Sequence, residues 1–108
     1  LIEIGKDDFE QYDIDKYDVL KITESSESYD YYLNVDNSHI QSYLKNLKDD
    51  QIDEAKNQYK LAMSVIGLIL IQDYKKQEDP IPLGDFTREY TRKISSLILP
   101  LVRDISTV

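Results

Sequence analysis

Leu61-Ala-Met-Ser-Val-Ile-Gly-Leu-Ile-Leu-Ile71 is the longest uncharged apolar run in this 108-residue chain. Eleven residues of α-helix span roughly 16 Å, about half of a bilayer's hydrocarbon core of ~30 Å. The run is too short to cross a membrane and reads as the centre of a long helix. Upstream, Ile52, Ala55, Tyr59, Ala62, Met63, Ile66 and Leu70 form one apolar stripe at helical spacing. Asp49 or Asp50 suits the cap of that helix, and Asp53 and Glu54 suit its first turn, where the backbone N–H groups favour negative charge. Downstream the helix should fade near Gln77, ahead of Pro80 and Pro82. Beyond Leu61 apolar residues occupy the whole circumference, which predicts burial on several sides.

Period 2 replaces period 3.6 on the N-terminal side. Leu1–Ile4 reads as a short strand, and Gly5–Lys16, rich in Asp, as a loop. Tyr17–Thr23 and Tyr29–Val35 alternate as strands about the polar turn Glu24–Ser28, which suggests an antiparallel hairpin. Tyr29, Tyr31, Leu33 and Val35 share one face of the second strand, with Asp30, Tyr32 and Asn34 on the other. Asn37 or Ser38 can cap a helix carrying Ile40, Tyr43, Leu44 and Leu47. After the breaker-rich segment Glu78–Gly84, Asp85 suits the cap of a last helix with the stripe Phe86, Tyr90, Ile94, Leu97, Ile98 and Leu101. Pro100 should kink that helix or end it near Leu99.

The expected fold is therefore α+β: a small antiparallel β-hairpin or sheet packed on two to three helices, with residues 50–77 as the long central helix. Residues 1–108 are read as one domain, acidic and strand-bearing over 1–36 and helical over 37–108. The opening Leu-Ile-Glu-Ile reads as the middle of a strand, so the chain is expected to be excised from a larger protein.

Charge is distributed unevenly. Residues 1–36 hold eleven acids against Lys6, Lys16 and Lys21, which accounts for the whole net charge of −8, while residues 37–108 balance ten acids with ten bases. An acidic first third repels the phosphate backbone, so direct nucleic-acid binding is not expected. The absence of cysteine excludes a disulfide scaffold, a Cys-based zinc site and a thiol nucleophile, and it fits a reducing, cytoplasmic setting.

The residue types that carry chemistry are sparse. His39, the only histidine, has no partner for a His-based metal site and reads as a surface or capping residue. Asp13-Ile-Asp-Lys-Tyr-Asp18 meets the EF-hand pattern only at Asp13, Asp15 and Glu24; Tyr17 replaces a ligand and Asp18 the glycine. Gly5, Gly67 and Gly84 form no phosphate cradle. No catalytic, cofactor or metal residue is assigned. The interaction candidates are Val65, Ile66, Leu68, Ile69, Leu70 and Ile71 on the long helix, and Tyr29, Tyr31 and Tyr32, since tyrosine is enriched at interfaces.

Tyr31-Tyr-Leu-Asn-Val-Asp-Asn37, the apolar helix about 25 residues on, and Thr91-Arg-Lys-Ile-Ser-Ser-Leu-Ile-Leu-Pro-Leu-Val102 occur in an order that resembles a C-terminal segment of large prokaryotic proteins. Those proteins carry an N-terminal GHKL-type (Hsp90-like) ATPase domain or a subtilisin-like domain. The resemblance spans roughly residues 29–105 and implies an accessory region with no catalytic residues of its own. Residues before Ser28 lie outside it. Without any family, Asn34, Asp36 and Asn37 make sense as short polar side chains that satisfy backbone N–H groups where a strand becomes a helix.

The function expected is a non-catalytic structural or assembly module, with partners that are protein: a second copy, as a homodimer, or other domains of the parent. Two alternatives stand beside it. One is an acidic module that binds a basic partner or mimics nucleic acid; the other is an accessory part of a parent ATPase or protease site.

Overall fold

The computed structural model describes residues 1–106, with side chains as far as Ser95 and at Leu97. In chain order the elements are β1 (Ile2–Ile4), a 3-10 turn (Lys6–Asp8), α1 (Phe9–Tyr12), β2 (Leu20–Ser25), β3 (Ser28–Asn34), α2 (Ser38–Leu44), α3 (Asp49–Tyr74) and α4 (Leu83–Ser106). The architecture is α+β, with one three-stranded sheet and one long central helix.

β2 and β3 form the expected antiparallel hairpin, with Leu20 opposite Leu33 and Ile22 opposite Tyr31. β1 adds to the far side of β3, parallel to it, so the sheet is mixed and its order is β1-β3-β2. A three-residue strand carries too little pattern to reveal its direction. The helical turns at Lys6–Tyr12 lie where the sequence reads as a loop, because each is about one turn long and too short to show a period. Asp13 closes α1 in the left-handed region at φ 52°, a conformation that Asp tolerates better than most residues.

α3 lays Tyr59, Met63 and Gly67 on the sheet face that carries Leu20, Ile22, Tyr31 and Leu33. A Cβ on Gly67 would stand 2.6 Å from Tyr31 Cε2 and 3.1 Å from Ile22 Cδ1, so the helix backbone rests directly on the side chains of the sheet there. Gly67→Ala gains about 1 kcal/mol of helix propensity but incurs about 1–3 kcal/mol of overpacking. The expected net is a loss of about 1 kcal/mol, visible as a lower urea midpoint; a midpoint at or above the parent's would show that Tyr31 moves aside freely.

The helix boundaries differ from expectation at both ends of α3 and at both ends of α4. α3 takes Lys48 as its N-cap, whose N–H donates to the Gln51 side-chain oxygen at 3.2 Å, and the helix stops at Tyr74. α4 begins at Leu83, its first bond running from the Phe86 N–H to the Pro82 carbonyl, so Asp85 lies within the first turn and is not its cap. α4 also continues through Pro100 to Ser106 and does not end near Leu99. The side chains of Ile98 and Leu101, placed in its stripe by the sequence, lie outside the described residues.

α4 runs along the open edge of β2. The Ile22 N–H donates to Thr87 Oγ1 at 2.9 Å and the Leu20 N–H to Thr91 Oγ1 at 3.3 Å. Alternate residues of a strand are about 6.8 Å apart and residues one turn apart on a helix about 6 Å, so the two spacings nearly coincide. Both threonines are fully buried.

Candidate interaction surface

Sheet and helices are pinned together by a polar knot at the end of β3. Asn34 and Asn37, both buried, each donate through Nδ2 to the Asp18 carbonyl, at 2.8 and 2.9 Å. Asn34 Oδ1 accepts the Asp36 N–H, and Asn37 Oδ1 accepts the His39 and Ile40 N–H groups as the cap of α2. Tyr59 of α3 donates its hydroxyl to the Asn34 carbonyl at 3.0 Å, and burial pushes its pKa up. His39 itself is exposed.

Beside this knot a cleft of about 480 Å³ is lined by Glu10, Asp13, Asp15, Asp18, Arg88, Glu89 and Arg92 among others. Both of its arginines are engaged by acids of the chain. Arg92 Nη2 bonds Asp18 Oδ1 at 2.7 Å and Asp15 Oδ2 at 2.8 Å, and Nε reaches Asp18 Oδ1 at 3.1 Å. Arg88 donates to the Asp13 carbonyl at 2.9 Å and pairs with Asp85 Oδ1 at 3.3 Å. The Asp18 side chain is only 3% exposed, and its Oδ2 accepts the Asp15 N–H. Partial burial works to raise the Asp15 pKa, but the Tyr17 amide and the Arg92 guanidinium outweigh it and hold the carboxyl below its ordinary value. The Asp13–Asp18 loop thus directs its carboxylates to arginines and backbone amides. Among the described residues no group of His, Asp or Glu is arranged to hold a metal ion.

α3 carries a surface of another kind. Leu61 is 68% exposed, Val65 48%, Leu68 60% and Ile69 61%. At about 100° per residue these four fall within about 60° of Val65, so they make one patch on the side turned away from the sheet. The sequence predicts burial on several sides of this girdle; within a single chain the outer side is open, because sheet and α4 cover only the inner half. Of the candidate residues, Val65, Leu68 and Ile69 lie in the patch, Ile66 is half-buried against the core, and Leu70 and Ile71 are buried. Leu61 belongs to the patch although the candidate set omits it. Its spacing to Val65, Leu68 and Ile69 (i, i+4, i+7, i+8) is the signal that identifies it.

The tyrosine candidates pack against this chain. Tyr29 and Tyr31 are half-buried against the core, with Lys75 Nζ 5.6 Å from the Tyr29 ring centre. Tyr32, on the other sheet face, lies with its ring centre 5.2 Å from that of Tyr12.

Monomeric proteins seldom expose contiguous apolar patches of more than a few hundred Å² without a use for them. No helix of the described residues is long and apolar enough to cross a membrane, so lipid-spanning does not explain the patch. The chain matches no protein-family model, no curated protein and no solved structure.

Proposed function

We propose that this chain is a non-catalytic assembly module which docks onto a protein surface, in the cytoplasm, through the outer face of α3. The observation that carries this reading is the exposure of Leu61, Val65, Leu68 and Ile69 on one side of a helix whose other side is fully engaged. Water-exposed aliphatic side chains gain about 25 cal/mol for each Å² removed from solvent, so covering four neighbours at once is a substantial driving force. The support beneath suits the role: Tyr59, Met63 and Gly67 fix the helix on the sheet and present the outer face without rearrangement.

The test separates a docking face from an unrecognised part of the chain's own core. Replacing Leu61, Val65, Leu68 and Ile69 together by Gln should leave the far-UV spectrum and the dilute-solution Tm within a few degrees of the parent's, and should abolish ANS binding by the monomer. A loss of several kcal/mol, of the size that deletion of buried aliphatic groups produces, would show that the face serves folding and would end the proposal.

A further inference from the structure

Given a docking role for the α3 outer face, we infer that its occupant is a second copy of this chain, with the two α3 helices antiparallel about a two-fold axis through Val65. The basis is the correspondence of residues along the centre line of the face about Val65; at its margin Leu68 has the smaller Ala62 as its counterpart. Leu61 and Ile69 stand four positions before and after Val65, Gln58 and Gln72 seven, and Glu54 and Lys76 eleven. On a helical wheel the three pairs lie about 40°, 20° and 20° from Val65, and the two members of each pair are on opposite sides of it. A two-fold axis through Val65 exchanges the members of each pair, so Leu61 meets the partner's Ile69 and Glu54 meets the partner's Lys76, twice in the assembly.

This is what an isologous interface requires: one patch that complements itself. The charge layout selects the direction. Charges of both signs flank the patch, but within about 20° of its centre line Glu54 stands before it and Lys76 after it. Antiparallel pairing sets acid against base at both ends; parallel pairing would set Glu54 against Glu54 and Lys76 against Lys76. Helices in contact lie about 8–10 Å apart, within reach of a Glu–Lys pair. Lys76 lies two residues past the last residue of α3, in the turn that continues it, and both Glu54 and Lys76 are exposed.

The experiment combines light-scattering mass with charge exchange and single cysteines, on the full 108-residue chain. The parent should give a concentration-dependent dimer. Val65→Asp, which sets two carboxylates together on the axis, should give a monomer with an unchanged far-UV spectrum. Glu54→Lys and Lys76→Glu should each weaken association about tenfold, since each turns two attractive pairs into two repulsive ones, and the double exchange should restore it. The chain has no cysteine. Val65→Cys should therefore cross-link cleanly on mild oxidation, whereas Glu54→Cys should not, because its two copies would be about 33 Å apart. Cross-linking at both positions, or a double exchange that fails to rescue, would overturn the antiparallel arrangement. A parent that stays monomeric at millimolar concentration would overturn self-association altogether; the docking reading would survive it if the four-Gln variant folds normally, and fall only if that variant unfolds.

Discussion

Replacing Arg92 with Met is expected to cost about 3 kcal/mol and to lower Tm by more than about 10 °C. The Met side chain keeps most of the apolar stem, so the loss isolates the guanidinium. What it leaves behind is decisive: Asp18, with a side chain only 3% exposed, loses the countercharge that Arg92 supplies, though it keeps the Asp15 N–H. Removing one partner of a buried ion pair costs about 3–5 kcal/mol; the lower end applies because the Arg92 side chain is itself 45% exposed and the vacated space is open to water. Asp18→Asn in the Arg92→Met background should recover part of the loss, since it removes the stranded charge. Thermal or urea melts of the four chains form the cycle, and an Arg92→Met variant within about 1 kcal/mol of the parent would refute the account.

Arg92 also sets an acid limb through its second partner, Asp15. Asp15 has a folded pKa below its unfolded value of about 3.9, so its contribution is complete at neutral pH and is lost as pH falls below about 4. Arg92→Met should flatten the stability profile in that window.

The second large effect is on the edge of β2. Thr87→Val with Thr91→Val preserves shape and deletes two hydroxyls, leaving the Ile22 and Leu20 N–H groups buried without acceptors. Each orphaned buried N–H costs about 1–3 kcal/mol, so the double variant should lose about 3 kcal/mol, with Ile22 the larger share because its bond is shorter. Serine at both positions retains the acceptors and should cost clearly less. Faster hydrogen exchange at the Leu20 and Ile22 amides is the local readout; exchange rates equal to the parent's would show that the hydroxyls are not what satisfies this edge.

These two features also mark where sequence reading stops. The spine of α3 is legible because 26 residues repeat one period many times, and Ala55, Tyr59, Met63 and Leu70, all in the expected stripe, are all buried. The hairpin is legible from alternation, and the Asn34–Asn37 turn from the hydrogen-bonding habits of short polar side chains. The Asp18–Arg92 pair is not, because 74 positions separate its members and nothing local marks either one. Thr87 and Thr91 read as neutral helix residues until a strand edge with matching spacing is laid beside them. The apolar circumference of α3 is plain in the sequence; which half the sheet would cover is a property of the packed chain, and only then do Glu54 and Lys76 acquire meaning.

The threonine-sealed edge has a consequence for biogenesis. Its donors on β2 and its acceptors on α4 are separated by 65 and 71 positions. At ribosomal rates of about 5–20 residues per second, β2 leaves the exit tunnel roughly 3–14 s before the segment that will seal it. For that interval the nascent chain displays an unpaired strand edge, and a pause in translation before α4 has emerged would prolong it.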